Sequence, residues 1–186
     1  LAHAYTPEAI RRAVECGVRS IEHGNLIDAP TAALMAERGA YAVPTLITYE
    51  ALARDGARLG LGTESVTKSA QVREPGLRSL EILKAAGVKM AFGSDLLGAS
   101  HELQSEEFLI RAQVQSNLEV LQSATLIGAE LLNQVGVIGE IAPGARADLL
   151  LVDGNPLADL ACLTGRGERI PLVMQGGVLR VNELRA

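Results

Sequence analysis

Two of the chain's three histidines, His3 and His23, lie one strand–helix–strand unit apart in the opening stretch LAHAYTPEAIRRAVECGVRSIEHG, each where an apolar run breaks. Asp95, in Gly93-Ser94-Asp95, follows another short apolar run in the same way. Imidazole and carboxylate are donors that suit zinc or a similar divalent ion. Taken singly, each residue has a plainer reading. A strand-end histidine is more often a hydrogen-bonded structural residue than a ligand, and an aspartate after a strand often caps a turn. Recurrence of one position, a strand end followed by a polar side chain, favours a metal site at the mouth of a barrel.

The elements that must position these residues repeat as well. Thr6-Pro7-Glu8 is a helix start: Thr6 caps, Pro7 sits where a missing N–H costs nothing, and Glu8 faces the positive helix end. Ile10, Ala13 and Val14 share a face, Gly17 ends the helix after about Cys16, and residues 18–22 form the strand that delivers His23. Asp28 or Thr31 caps a second helix with Leu34 and Met35 on its apolar side and Gly39 at its end. Residues 40–47 read as the next strand, Pro44 marking a bulge or strand end. Thr45 and Thr48 close strand hydrogen bonds there or else face the mouth. The glycine-bearing stretch 49–74 holds one helix near residues 50–58 and is long enough to be a lid. Its Arg54, Arg58, Lys68 and Arg73 read as solvated charges before they read as anion contacts. A helix over 75–86, capped by Gly87, and a strand over 88–92 complete a third copy of the unit and lead to Asp95. This repetition predicts a parallel sheet or (β/α) barrel, whose chemistry sits beyond the C-terminal strand ends.

After a loop at 96–101, helices are expected over 103–116, with Phe108, Leu109 and Ala112 on one face, and over 117–134. The pattern then changes. Pro143-Gly144 is a turn, 147–152 a buried strand, and Gly176-Gly177 joins strands 172–175 and 178–181 as a hairpin. The chain therefore divides into residues 1–136 and a small β module, 137–186. Its 186 residues are 48% hydrophobic with net charge −5 and no basic run, which argues against a nucleic-acid partner. No apolar run reaches the roughly 18 residues that cross a bilayer, so no membrane partner is expected. Cys16 and Cys162 form no CxxC and both read as small buried hydrophobes. The chain opens at Leu1, inside a strand, and so reads as part of a longer protein, with a cytoplasmic location the working expectation.

His3, His23, Gly93-Ser94-Asp95 and Pro143-Gly144-Ala145-Arg146-Ala147-Asp148-Leu149, in this order and spacing, resemble the amidohydrolase superfamily. Through HAYTPEAI, SIEHGNLID, FGSDLLG and HELQSEEF the chain is similar to the imidazolonepropionase-like branch, and there to metal-dependent dipeptidases of the Xaa-Pro type. The resemblance implies an α/β fold: the C-terminal half of a (β/α)8 TIM barrel, strands five to eight, with returning strands of a small β-sandwich. It implies His3 and His23 as metal ligands ending strands five and six, and Asp95 as ligand and catalytic carboxylate ending strand eight. It implies Tyr5 as a contact for a substrate carboxylate. His101 is a further substrate-binding candidate if it reaches the mouth, an exposed loop histidine being the plainer reading. The implied cofactor is a divalent metal, zinc foremost, one or two ions in the complete enzyme. The implied partner is a small-molecule or dipeptide substrate.

On that reading metal-bound water becomes hydroxide near neutral pH and the metal polarises the scissile carbonyl. Asp95 takes the water's proton and passes it to the leaving amine, and each imidazole ligand needs a hydrogen-bond partner on its other nitrogen. The family's HxH pair on strand one and carboxylated lysine on strand four would fall N-terminal to Leu1. These residues alone are therefore expected to be inactive or nearly so, and to need the missing N-terminal half, which also covers exposed sheet edges. A homo-oligomer is left open. The alternatives are an amidase or cyclic-amide hydrolase of the same superfamily and a non-catalytic barrel fragment that binds without turnover. A phosphate-binding barrel is disfavoured, because no glycine-rich loop leads into a helix after the last strands.

Overall fold

The computed structural model describes residues 1–56, 62, 64, 67 and 71–184, without the side chain of Arg73. Arg58 and Lys68, and much of the stretch read as a lid, lie outside the described residues. Thr6 and Asp28 cap as their sequence contexts predict, accepting from Ala9 N at 3.4 Å and Thr31 N at 2.9 Å. They start α1 (Pro7–Glu15) and α2 (Ala29–Glu37), each with proline in its first turn. These helices alternate with β1 (Ala2–Ala4), β2 (Ser20–His23) and β3 (Tyr41–Val43). The three strands pair in parallel in chain order, with His3 opposite Glu22 and Ala4 opposite His23. Ile10, Val14, Ile21 and Met35 are buried between the helices and this sheet, where they join Leu80 and Leu83 of the later helix α4 (Arg73–Ala85).

The strand expected over 40–47 stops at Val43. Pro44 cannot donate to a ladder, and α3 (Leu46–Asp55) follows at once, four residues earlier than the helix expected near 50–58. Residues 88–92 lie beside β3 but contribute only the bridge between Ala42 and Met90. Phe92 N–H turns away to the Ser123 carbonyl at 3.1 Å. The helix expected over 103–116 is a 3-10 run, Gly98–Glu106, followed by the short α5 (Glu107–Arg111). Its buried residues are Glu107, Ile110 and Arg111, while Leu109 is exposed. The helix expected over 117–134 breaks at Thr125 (φ −125, ψ −90) into α6 (Asn117–Ala124) and α7 (Leu126–Leu131).

A second sheet is antiparallel: β4 (Leu149–Leu151), β5 (Leu172–Gln175) and β6 (Val178–Asn182), in that order. Gly176 and Gly177 turn the hairpin with φ of 56 and 80, the left-handed pair that a two-residue loop requires. The strand expected to be buried here is not, since Leu150 and Leu151 are exposed. Cys162 is buried with Leu160 and Leu163, whereas Cys16, expected in the core, is exposed at the C-terminal cap of α1. Among the described residues no helix is long and apolar enough to cross a membrane.

Candidate active site

Parallel pairing of β1 with β2 puts their C-terminal ends side by side, and the side chains beyond them meet. His23 Nε2 lies 2.7 Å from His3 Nδ1, and 4.0 Å from Asp95 Oδ2. Tyr5 stacks on His23, with ring centres 5.0 Å apart and planes 4° apart, and meets His3 edge-on at 4.9 Å. Backbone bonds pin this arrangement: Gly24 N donates to Ala4 O at 3.0 Å and Leu26 N to Tyr5 O at 3.1 Å. His101 is not brought into the cluster. It is exposed on the 3-10 run and borders a groove with Leu163, Arg166 and Ile170.

Two of these residues stand on unusual backbone. His23 (φ 76) and Asp95 (φ 50) are in the left-handed region, where only four non-glycine residues fall among those described. Conformations of this kind cost free energy and persist where the surroundings over-determine them. The surroundings here are tight. A Cβ on Gly93 would lie 2.6 Å from Val43 Cγ1, so the segment leading to Asp95 runs against the end of β3 as only glycine permits.

The first turn of α3 carries the supporting contacts. Thr45 Oγ1 meets His23 Nδ1 at 2.7 Å, the partner that a ligating imidazole needs on its second nitrogen. Thr48 Oγ1 donates to the Asp95 carbonyl at 3.0 Å, and Tyr49 OH donates to Tyr5 OH at 2.8 Å. Thr45 and Thr48 thus face the site rather than closing strand bonds. Tyr49, unremarked in sequence, is 4% exposed. Burial, reinforced by Tyr5, pushes its phenol up, so it remains a donor. For His23, burial first and the neighbouring His3 second lower the pKa, against an opposing pull from Asp95. The imidazole is therefore neutral near pH 7, the state in which it can donate a lone pair.

Two further residues, not singled out in the sequence, form a buried charge pair behind the site. Glu107 and Arg111, at i and i+4, have fully buried side chains, with Oε1 and Nε 3.8 Å apart. Glu107 Oε2 accepts the backbone N–H of Ile47 at 2.7 Å. Arg111 Nη1 donates to Ser123 Oγ at 2.9 Å, and its guanidinium lies over the Phe92 ring at 5.6 Å. Burial pushes the Glu107 carboxyl up, opposed by Arg111 and by the backbone N–H groups of Ile47 and Leu46.

In donor type, His3, His23 and Asp95 fit a zinc-like cation. Two nitrogens on one tetrahedral zinc are about 3.3 Å apart, whereas the imidazole nitrogens at 2.7 Å are hydrogen-bonded to each other. Accordingly, no group of three or more His, Cys, Asp or Glu is arranged to enclose a metal among the described residues. The donors are adjacent, but their spacing is that of rings in direct contact.

Comparison with known proteins gives this geometry a context. A model of the amidohydrolase family matches residues 1–179. A crystal structure of a prolidase complexed with N-methylphosphonate-L-proline is 56% identical with a TM-score of 0.95, over 97% of this chain and 44% of that one. Ochratoxinase from Aspergillus niger is 28% identical over 161 residues, 86% of this chain and 33% of that protein. Imidazolonepropionase from Salinispora arenicola is 32% identical over 171 residues, 89% of this chain and 37% of that protein. The chain thus spans about a third of these curated relatives and less than half of the solved structure.

Proposed function

Since the chain belongs to the amidohydrolase family, we propose that it forms part of a metal-dependent amide-bond hydrolase, a dipeptidase of the Xaa-Pro type. The observation that carries this reading is the convergence of His3, His23 and Asp95 beyond neighbouring parallel segments, with Tyr5 stacked on one imidazole. The 56% identity to a prolidase supports the choice of substrate class. In this reading residues 1–136 are the C-terminal half of a (β/α)8 barrel, strands five to eight, and residues 137–186 the returning strands of a small β-sandwich. A further N-terminal segment supplies the remaining ligands, and these residues alone are inactive.

His3, His23 and the Asp95 carboxylate would hold the cation, zinc foremost. The chemistry such an ion supplies is acidification of water and polarisation of a carbonyl. The Asp95 side chain is 56% exposed and so within reach of solvent and substrate. Its carboxylate takes the proton of the attacking water and delivers it to the leaving amine nitrogen as the C–N bond breaks. Thr45 keeps the His23 ring from turning, and the Thr48 hydroxyl anchors the Asp95 backbone. Tyr5, oriented by Tyr49, offers its phenol to the free carboxylate of the dipeptide.

The test is metal content with hydrolysis of Xaa-Pro dipeptides, measured on this chain and on the complete polypeptide that carries it. Metal and turnover in the complete polypeptide, with loss of both here, support the reading. Turnover of cyclic or other amides without dipeptides would move it to the amidase alternative. A complete polypeptide that binds no metal would move it to a non-catalytic one.

A further inference from the structure

Glu107 and Arg111 touch neither the imidazoles nor the Asp95 side chain, and the reaction gives them no step. Their contacts run to the two segments that do matter. Glu107 holds the Ile47 N–H at the start of α3, beside Thr45 and Thr48. Arg111 covers Phe92, three residues before Asp95, and bonds Ser123 Oγ, whose residue also receives the Phe92 N–H on its carbonyl.

The start of α3 explains why an acceptor must come from elsewhere. Thr45 stands at the cap of this helix but makes no side-chain cap bond. Its hydroxyl, which would ordinarily accept from an N–H of the first turn, is turned to His23 Nδ1. Glu107 reaches across from α5 to fill the vacancy, its Oε2 accepting the Ile47 N–H as a cap oxygen would. The pair is poorly built for stability alone. Among the described residues Glu107 Oε1, Arg111 Nε and Arg111 Nη2 have no hydrogen-bond partner, and buried ion pairs with unsatisfied atoms seldom outperform apolar residues of the same volume.

We propose that Glu107 and Arg111 are positioning residues. They replace the helix cap that Thr45 gives up to His23 and tie the start of α3 to the segment that carries Asp95. The orientation of His23 and the placement of Asp95 are then set by one buried pair at the back of the site.

The proposal rests on the functional reading above only for its activity measurement. Two double variants of the complete polypeptide test it, both free of an uncompensated buried charge. Glu107→Gln with Arg111→Met keeps an oxygen acceptor for Ile47 N, and Glu107→Leu with Arg111→Met removes it. Amide hydrogen exchange over residues 44–50 is read beside kcat and KM for an Xaa-Pro dipeptide. The glutamine variant is expected to keep exchange and kcat within about threefold of wild type. The leucine variant should speed exchange at Leu46 and Ile47 and lower kcat by about tenfold or more, the scale of losing a partner that orients a ligand. KM and exchange in α1 should stay near wild type. A leucine variant that matches the glutamine variant in both readouts overturns the proposal. So does a glutamine variant that fails to fold, which would make the pair a general requirement of the fold. If wild type cleaves no dipeptide the functional reading fails, and the exchange measurement decides this proposal alone.

Discussion

Replacing Thr45 with valine keeps the volume of a side chain only 3% exposed and removes the one hydroxyl that meets His23 Nδ1 at 2.7 Å. His23 is itself 4% exposed, so water cannot take the place of the lost partner. Leaving a buried imidazole nitrogen unpaired costs about 1–3 kcal/mol. The gain of an apolar methyl in a site that touches polar rings offsets little of that. Freed at Nδ1, the ring can rotate, and losing such a partner costs about 10–100-fold in metal affinity or activity. The assay is equilibrium unfolding in urea with zinc titration of the complete polypeptide, beside Thr45→Ser, which keeps the hydroxyl. Serine should hold metal affinity within about threefold, because the hydrogen bond and not the methyl orients the ring. A valine variant with wild-type zinc affinity and wild-type kcat would refute the assignment of Thr45 as the partner of a ligating histidine.

Asp95→Asn should abolish dipeptide turnover while circular dichroism and melting stay close to wild type, since the side chain is largely exposed and an amide cannot carry the proton; near-normal activity would remove its catalytic role. Gly93→Ala should lower stability by about 1–3 kcal/mol through overpacking, because the added Cβ would meet Val43 Cγ1 at 2.6 Å; an unchanged urea midpoint would mean the chain can yield there. Glu119 caps α6 through Ser116 and pairs with Lys84, contacts that hold its carboxyl below the usual range, Lys84 contributing most. Its folded pKa is depressed, so its contribution is present above the unfolded pKa of about 4.3 and is lost as pH falls through the folded value. Glu119→Gln should flatten the acid limb of a melting-temperature profile, and a limb of unchanged slope would show that other carboxylates govern it.

The parallel units were readable because their punctuation is local. Thr6, Asp28, Gly17 and Gly39 are caps whose effect depends on neighbours a few residues away, and the two histidines follow from counting strand ends. The Gly176-Gly177 hairpin was readable for the same reason. What the sequence concealed depends on distant partners. Pro44 forecast a strand end, but not that a helix would begin within two residues, because the acceptor for its first turn comes from Glu107, sixty positions along the chain. Glu107 and Arg111 have the spacing of a solvated helical pair, and only the packing of α3, α6 and Phe92 around them makes them interior. Cys16 failed in the opposite direction, a small apolar side chain left outside because Ile10 and Val14 already fill the face of α1 that meets the sheet. The strand ending at Asp95 was over-read, since Ser123 takes the N–H that a ladder would have used.

The left-handed backbone at residues 23 and 95 also limits what selection can put there. Such φ values admit glycine, asparagine, aspartate and histidine far more readily than branched or bulky side chains. A library randomised at both positions and screened for folding alone would therefore be enriched in potential donors before any reaction was selected. Drift at these sites stays within a small alphabet, most of it able to bind a cation or hydrogen-bond a substrate. New activities can arise there by exchanging one polar side chain for another, with no rebuilding of the turn beneath.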